Sequence, residues 1–448
     1  MSEHDDQHHM NMMERFLHSS VAGSVALVVC TVIALVWVNS PWESVYQTLT
    51  HAKIGVSWNE AKYTHSLGHW IKDGLMAIFF FVVGLEIKRE LVVGELSSFG
   101  RAILPVSAAI GGAVVPALTF AWFNLGTPGQ AGWGIPMATD IAFALGVLSL
   151  FGSRVPISLK VFLTALAIAD DMLAVLVIAF FYTATLNFFA IAFAGLFLFL
   201  IFRASRAGVR MVLVYVMLAF AVWVSLEASG IHATVAGVLI AMLVPVKGQI
   251  EPDEFFDRTR SSLRLLEKLQ PTRESLNADE RQRRAVSEIY MAAEDMTPPG
   301  IAIEKVLHPF VSFIILPLFA LSAAGVAFDA GTLGDFPGPV GLGVMLGLFA
   351  GKQVGIMAAY WLAVRTGLAQ WPEGVNWGQI WGVSALAGIG FTMSIFIDEL
   401  AYTDQAMIDE AKIAIILASL ISGAFGAFLL SRALPRAQTS DTESGPAR

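Results

Sequence analysis

The feature that most constrains this chain is a pair of adjacent acidic residues, Asp170 and Asp171, inside an apolar segment. The stretch 161–177 around them is otherwise apolar apart from Thr164. From 155 to 181 the segment is long enough to cross a hydrocarbon layer of about 30 Å, which takes about 20 helical residues. A carboxylate at that depth costs at least about 2.5 kcal/mol and is usually functional. The pair therefore predicts a functional site within a membrane helix.

Two neighbouring carboxylates repel each other, so we expect one of them to hold a proton near neutral pH. Successive helical residues point about 100° apart, because a helix has about 3.6 residues per turn. We therefore expect Asp170 and Asp171 to face different surroundings, one a water-filled cavity and the other a neighbouring helix. Such a pair is suited to exchanging a proton for a cation. The alternative is a structural carboxylate that is satisfied by hydrogen bonds.

The composition predicts an all-α polytopic membrane protein whose main partner is the lipid bilayer. Of the 448 residues, 56% are hydrophobic and 14% are charged, whereas soluble domains carry about 25% charged residues. The net charge of −8 is opposite to the basic footprint of nucleic-acid-binding proteins, so we expect no nucleic-acid partner. The single cysteine, Cys30, excludes an internal disulfide and a cysteine-based metal cluster.

Apolar segments alternate with polar ones along the chain and predict about twelve transmembrane helices. The predicted spans are 20–38, 66–85, 103–123, 132–150, 155–181, 187–201, 209–226, 230–246, 308–326, 340–364, 378–397 and 411–430. They form one transmembrane domain, 18–436, between polar tails at 1–17 and 437–448. Two segments within it are predicted to lie outside the bilayer, an alternating hairpin at 46–62 and a charged loop at 248–305.

The charges of the loops predict the orientation of the spans. Basic residues fall on one side of the predicted membrane, at Lys88, Arg89, Arg101, Arg154, Arg203, Arg206, Arg210, Lys247, Arg365, Arg432 and Arg436. Acidic residues dominate the loops of the other side, at Glu227, Asp329, Asp335, Asp398, Glu399 and Asp404. Because cytoplasmic loops carry an excess of Lys and Arg, both termini and the 248–305 loop are predicted to be cytoplasmic.

Two groups of three spans, the third to fifth and the tenth to twelfth, have opposite topologies. The middle span of each is interrupted, at 134–140 and at 388–392. Paired interruptions in corresponding positions of two halves predict an ion site near the bilayer midplane. Two broken helices that cross there bring like helix ends together. The N-terminal ends are partly positive and the C-terminal ends partly negative, so one acidic side chain would balance the former and one basic side chain the latter. Asp140 and Lys352 are the candidates, since each lies inside a predicted span.

The chain resembles the NhaA-type sodium/proton antiporters over nearly its whole length. The resemblance is carried by the motifs GLEIKREL, ATDIAFALG, LTALAIADD, GIHATVAG, VLHP, ILPLFALSAAG, GKQVGI and GIGFTMSIFI. It implies twelve helices arranged as an inverted repeat with two crossed discontinuous helices. It also implies a non-enzymatic function without a cofactor, the electrogenic exchange of protons for Na⁺ or Li⁺ by alternating access. Members of this family act in the bacterial inner membrane, where they are regulated by pH and form homodimers.

The resemblance also implies roles for individual residues. Asp171 matches the main ligand of the transported Na⁺, and Asp170 matches its partner, which can pair with Lys352. Thr139 and Asp140 match residues of a broken helix beside the ion site. Further matches are a carboxylate of the cation funnel, Asp73, and positions where the family places pH regulation, Glu86, Arg89, Glu90, His232, Glu304 and His308. The hairpin at 46–62 matches the dimerising segment.

The chain departs from the best-known members of the family in two places. The charged insert at 249–302 is longer than the loop expected there, and Lys305 replaces an expected histidine. Both departures concern the predicted pH response, so they leave the predicted transport chemistry unchanged.

Two other functions also use acidic residues within a membrane. An intramembrane aspartyl protease needs two Asp residues on different helices that converge on a water, and adjacent residues of one helix do not meet that need. No Gly-x-Gly-Asp segment accompanies the pair either. A sodium-coupled solute symporter stays open as an alternative, and it would differ from an antiporter by requiring an organic solute for exchange.

Overall fold

The computed structural model describes residues 20–58, 61–183, 186–209, 211–248, 250–272, 279–328, 334, 336–372 and 374–435. These residues are mostly helical, and they include one two-stranded antiparallel sheet. The predicted tails at 1–17 and 437–448 lie outside the described residues. A predominantly helical chain is what the composition predicts, because a membrane helix satisfies its own backbone hydrogen bonds.

The helices begin with α1 (Ser20–Val38), α2 (Glu43–Thr50), α3 (Met76–Val92), α4 (Phe99–Asn124), α5 (Ile141–Ser149), α6 (Ile157–Phe181), α7 (Phe188–Arg206), α8 (Val212–Ser229) and α9 (Val235–Ala241). They continue with α10 (Pro252–Leu269), α11 (Glu280–Met296), α12 (Pro299–Phe310), α13 (Leu316–Ala323), α14 (Pro339–Leu346), α15 (Lys352–Arg365), α16 (Trp377–Leu386), α17 (Phe391–Ala401) and α18 (Gln405–Ala433). The strands are β1 (Lys53–Trp58) and β2 (Ala61–Ser66).

Shorter helical segments join or extend these elements. A helical turn covers Leu67–His69, and 3₁₀ helices cover Glu95–Ser97, Pro128–Met137 and Gly152–Arg154. Segments of π-helix cover Trp70–Leu75, Val311–Ile315 and Gly347–Gly351. The π segments lie inside otherwise continuous helices, where such irregularities frequently mark functional positions.

The described chain contains fewer clear membrane spans than the sequence predicts. Eight of its helices are long and apolar enough to cross a membrane, and two bent helix pairs raise the number to ten. These ten correspond to ten of the twelve predicted spans. The segment 66–85 is interrupted by a π segment that carries Lys72 and Asp73, and 230–246 contains only the seven-residue helix α9. The full number of twelve therefore stays a prediction.

The predicted hairpin is present, but its boundaries differ from the prediction. Residues 46–50 belong to α2, and the paired strands run from Lys53 to Ser66 with these two residues facing each other. Tyr46 of this helix is buried, and its hydroxyl lies 2.9 Å from the carbonyl oxygens of Leu321 and Ser322, which anchors α2 against α13.

The described residues cluster into two compact units. The first comprises the described parts of Met1–Met76, Glu95–Ala184 and Ser312–Arg448, and it contains both bent helix pairs. The second comprises those of Ala77–Gly94 and Thr185–Val311.

In the first unit, the backbones of α4 and α15 approach each other so closely that only glycine fits between them at Gly111 and Gly355. A Cβ added at Gly355 would lie 2.7 Å from the carbonyl carbon of Gly111 and 3.0 Å from Cβ of Val115. Small residues at helix interfaces let backbones approach in this way. Lys352 begins α15 three residues before Gly355, so this packing fixes the position of the lysine.

The two bent pairs of the first unit are interrupted by residues that do not favour a continuous helix. The 3₁₀ helix Pro128–Met137 contains Pro136, which lacks a backbone N–H, and it meets α5 at 40°. The pair α16 and α17 meets at 45° around Gly388 and Gly390, and Phe391 has a positive φ of 22°. Such strain in a bulky residue is common at functional sites.

The second unit contains the charged insert, which folds as a helical hairpin. Ser262 on α10 donates a hydrogen bond of 2.6 Å to Glu288 on α11, and Arg258 lies 3.5 Å from Asp295. These pairings show that the two helices run antiparallel. The helix α12 begins at Pro299, within the predicted loop 248–305. A proline at the first position of a helix is favoured, and the sequence PPGIAIEKVL follows that rule.

Candidate functional site

The two adjacent carboxylates lie in the middle of α6, and both are buried in the first unit. Asp170 is 2% exposed and Asp171 is 1% exposed. The helix carries them because it is apolar on all sides and packs against α4 and α5. Neither side chain therefore points into lipid, which is the arrangement that a binding site requires.

Lys352 is the cationic partner of this pair. Its Nζ donates a hydrogen bond to Oδ2 of Asp170, and the lysine is 1% exposed. A lysine at this position that reached the surface would be exposed at its tip, so the observed burial excludes that alternative. Removing one partner of a buried ion pair leaves an uncompensated charge, so the burial of each of these residues depends on the other.

Thr139 links the first helix break to this pair and to the second break. Its Oγ1 lies 2.7 Å from Oδ2 of Asp170 and also 2.7 Å from the carbonyl oxygen of Ala387. A hydroxyl group has a single proton to donate. This one proton is therefore shared between the carboxylate of Asp170 and the carbonyl oxygen of Ala387. A change in the hydrogen bond to Asp170 thus affects the hydrogen bond to the second break.

Asp140 joins the two breaks directly. It caps α5 through a 3.0 Å hydrogen bond from the backbone N–H of Phe143. Its Oδ2 accepts hydrogen bonds from the hydroxyl and the backbone N–H of Thr392, at 2.5 and 3.2 Å. Its own N–H donates to the carbonyl oxygen of Ile389 at 2.7 Å. One carboxylate thus lies at the N-terminal ends of α5 and α17, where helix dipoles favour a negative charge.

The donor set of this site consists of oxygen atoms and one ammonium group. The oxygen atoms belong to two carboxylates, one hydroxyl and one backbone carbonyl. The hydroxyl of Thr139 lies 2.7 Å from both Asp170 and the carbonyl oxygen of Ala387, and Asp171 follows Asp170 in the chain. Hard cations prefer such oxygen ligands. The ammonium of Lys352 already donates to Oδ2 of Asp170, so a metal cation that bound this oxygen would have to compete with the ammonium.

The predicted funnel carboxylate, Asp73, lies on the π segment Trp70–Leu75 and is 9% exposed. Its Oδ2 is 3.1 Å from Nδ1 of His69, one helical turn away. The neighbouring Lys72 donates to the carbonyl oxygen of Glu399 at 3.1 Å. Asp73 and Lys72 thus lie in one π segment, which contacts α17 through the carbonyl oxygen of Glu399.

Asp398 and Glu399 are placed differently from the prediction, which assigned both to an acidic loop. They lie in α17, and Asp398 is fully buried at 0% exposure. The apolar segment of the eleventh span continues beyond 397, because Leu400 and Ala401 complete the last helical turn. The sequence offers no clear signal for this, because an Asp followed by a Glu after an apolar run has the composition of a loop.

The residues predicted for pH regulation lie in the second unit, and four of them have charges close together. Nη1 of Arg89 is 2.5 Å from Oε1 of Glu304, and its Nε is 4.0 Å from Oε1 of Glu90. Glu86 interacts electrostatically with all three of these residues. The four residues form one charged cluster that joins α3 to α12.

The two histidines of this group occupy other positions. His232 precedes α9 in the chain, and its carbonyl oxygen accepts from the backbone N–H of Val235 at 3.0 Å. His308 is exposed on α12, one turn after Glu304. Lys305, where a histidine is expected, is also exposed.

Comparison with known proteins identifies the family of this chain. A sequence profile of the family described as Na+/H+ antiporter 1 matches residues 14–430. A protein of Oleidesulfovibrio alaskensis named Na(+)/H(+) antiporter NhaA is 46% identical over 424 residues, which cover 94% of each chain. A protein of Syntrophotalea carbinolica named Na(+)/H(+) antiporter NhaA 2 is 43% identical over 94% of this chain and 97% of its own. The NhaA protein of Wolinella succinogenes is 43% identical, with 94% and 93% covered. The chain therefore belongs to the Na+/H+ antiporter 1 family.

Proposed function

We propose that this chain exports Na⁺ or Li⁺ in exchange for protons. The observation that carries the proposal is the buried contact between Lys352 and Asp170, next to Asp171 and to the two helix breaks. In this proposal the ammonium group of Lys352 and a transported cation compete for the carboxylate of Asp170. The names of the similar proteins, all Na(+)/H(+) antiporters, support the same activity.

The proposed mechanism follows from that competition. A Na⁺ ion entering the site binds Asp171 and Asp170, with the carbonyl of Ala387 and the hydroxyl of Thr139 as further oxygen donors. Lys352 then loses its carboxylate partner and releases a proton, and a proton held by the Asp pair is released as well. After the site opens to the other side, protons displace the ion. Exchange of more than one proton for each Na⁺ moves net charge, so the membrane potential drives export.

The proposed architecture has two more transmembrane helices than the ten spans that are long and apolar enough to cross a membrane. We infer twelve transmembrane helices in one domain, 18–436, arranged as an inverted repeat in which the two bent pairs cross at their breaks. The hydrogen bonds between Asp140 and both Ile389 and Thr392 support such a crossing. Alternating access would expose this site to each side in turn, with Asp73 in the funnel on the outward side.

The remaining assignments are proposals of the same kind. The loop charges support a bacterial inner membrane protein with both termini in the cytoplasm. The strands β1 and β2 are proposed to pair with those of a second copy, forming a homodimer. The cluster of Glu86, Arg89, Glu90 and Glu304, together with His232 and His308, is proposed to adjust activity to pH.

The test uses everted membrane vesicles that contain a pH-sensitive dye and an established pH gradient. Added Na⁺ should collapse the gradient in vesicles that contain the chain, without any organic solute. Vesicles that lack the chain provide the control. A gradient that persists after Na⁺ addition contradicts antiport, and a collapse that requires an organic solute identifies a symporter instead.

A further inference from the structure

A second buried carboxyl group, Asp398, lies in α17 outside the candidate site. Its side chain is completely buried in the first unit. Neither of its carboxylate oxygens has a hydrogen-bond partner within the part of the chain that the structure describes. Burying an ionised carboxylate without donors costs several kcal/mol or more, so such groups take up a proton or a cation instead.

The charged groups around Asp398 do not supply a hydrogen bond to it. Lys412, the buried cation of α18, donates instead to Oε1 of Glu399 at 3.0 Å. Lys72 approaches the same Glu399, with 3.8 Å between Nζ and Oε2. We call Lys72, Glu399 and Lys412 the polar cluster. The titratable and charged groups that interact with Asp398 are these three together with Asp409, Tyr182 and Tyr402.

Asp398 is located between this polar cluster and the helix breaks. Thr392, which hydrogen-bonds Asp140, lies on the same helix six residues earlier, or about 9 Å along the axis. Ser394 lies between them, and its hydroxyl donates to the carbonyl oxygen of Ile135 in the first bent pair at 2.7 Å. Asp398 follows Ser394 by one turn, so it lies on the same face of α17. The helix thus carries polar groups at successive turns from the breaks toward the polar cluster.

The two tyrosines near Asp398 are already committed to backbone carbonyl groups. The hydroxyl of Tyr402 donates to Gly129 at 2.6 Å, and that of Tyr182 donates to Ala131 at 2.9 Å. Each hydroxyl has only one proton, so neither stabilises an ionised Asp398 as well. The environment therefore favours a neutral carboxylic acid, because burial without hydrogen-bond donors and the neighbouring carboxylates of Glu399 and Asp409 both disfavour the ionised form.

We propose that Asp398 is a second proton-binding carboxyl group, which passes protons between the helix breaks and the polar cluster. The proton comes from an ammonium group of the polar cluster, Lys412 or Lys72, which becomes a neutral amine, and it passes on toward the breaks, where the carboxylate of Asp140 is the acceptor. One oxygen of Asp398 gains a proton as the other releases one, so Asp398 itself is neutral before and after each transfer. The proposal rests on the proposed antiport, because only a proton-coupled transporter requires such a path. A purely structural acid would need no exchangeable proton.

The test compares Asp398→Asn with Asp398→Glu in proteoliposomes that report Na⁺-driven proton flux. We expect Asp398→Asn to lower the maximal rate by at least about tenfold, since a positioned proton-transfer group contributes about 10²–10⁴ in rate. The Na⁺ concentration at half-maximal rate should stay within about twofold of the original. Asp398→Glu, which keeps an exchangeable proton, should retain most of the rate. The matched control is Asp404→Asn, an exposed acid-to-amide change that preserves the N-cap of α18.

A second readout detects the proton itself. Infrared difference spectra should contain the carbonyl band of a protonated acid, which disappears in Asp398→Asn and shifts in Asp398→Glu. The glutamate variant keeps this measurement decisive if the asparagine variant fails to accumulate. Identical spectra for the wild type and the variants would overturn the proposal.

The flux results separate the remaining outcomes. An unchanged rate in Asp398→Asn shows that no proton passes through this group and overturns the proposal. An altered Na⁺ dependence at an unchanged rate makes Asp398 a cation ligand and also overturns it. If the wild type shows no exchange at all, the proposed antiport fails, and the infrared band still decides whether Asp398 holds a proton.

Discussion

Lys352 donates a hydrogen bond to Asp170 across the interior of the first unit, and almost no surface of either side chain is exposed. The two residues come from different helices, α15 and α6, and are 182 positions apart in the chain. In the proposed mechanism this contact holds a carboxylate that the transported cation also needs. Transport by competition requires that this contact form and break in each cycle.

The first prediction concerns the stability of this pair. Lys352→Ala should lower the free energy of unfolding by about 3–5 kcal/mol, because it leaves the buried Asp170 without its cation. The double variant Lys352→Ala, Asp170→Asn should recover a large part of that loss. Thermal unfolding in detergent measures both effects, and Lys305→Ala, an exposed lysine, is the control. Equal destabilisation in the single and the double variant would show that the pair is not coupled.

The second prediction separates the two roles of Asp140. Asp140→Asn keeps one oxygen that can cap α5 but loses an acceptor for Thr392, so it should cost less stability than Asp140→Ala, which loses the hydrogen bonds from Thr392 and also the cap, worth about 0.5–2 kcal/mol. Both variants remove the negative charge at the N-terminal end of α17, so both should slow exchange. The comparison needs thermal unfolding and vesicle flux on the same preparations. Full activity in Asp140→Asn would mean that the charge itself has no function.

The third prediction tests the close packing that positions Lys352. Gly355→Ala places a Cβ within 2.7 Å of the backbone of Gly111, so α15 must move away from α4. Overpacking of this kind costs about 1–3 kcal/mol, and we expect exchange activity to fall with it. Gly195→Ala, at a helical glycine with open space around it, is the control. An active and fully stable Gly355→Ala protein would contradict this account of the interface.

The proton competition also predicts how exchange depends on pH. Lower pH raises the proton occupancy of the site, so the Na⁺ concentration for half-maximal exchange should rise as pH falls. Where a single proton competes, the rise approaches about tenfold for each pH unit, the equivalent of about 1.4 kcal/mol. Vesicle exchange measured over a pH series gives this slope. A half-maximal concentration that does not vary with pH would indicate separate sites for the proton and the ion.

The sequence indicates a candidate site because a charged residue in an apolar helix has few physical explanations. The pair Asp170-Asp171 and the isolated Lys352 stand out for this reason. Their apolar neighbours set the helical context, and the two Gly- and Pro-interrupted segments indicate where helices break. The contact of Thr139 with Ala387 was not predictable, since it depends on how two distant breaks meet.

Other predictions gave the wrong boundaries because the pattern of apolar and polar residues does not show where a helix or a strand ends. Asp398 followed by Glu399 has the composition of a loop, although tertiary packing keeps both residues in α17. The hairpin prediction began at 46 because alternation alone does not reveal that Tyr46 is anchored in a helix. The π segment at Trp70–Leu75 has no sequence signature either, and it interrupts the second predicted span where Asp73 lies.

The most direct test of the competition is proton release on Na⁺ binding by the purified protein in detergent. In weakly buffered solution, Na⁺ addition should release protons, and the calorimetric heat should change with the ionisation enthalpy of the buffer. Asp171→Asn should abolish the release, whereas Asp404→Asn should retain it. Na⁺ binding without any proton release, or undiminished release in Asp171→Asn, would contradict the proposal that one site serves both ions.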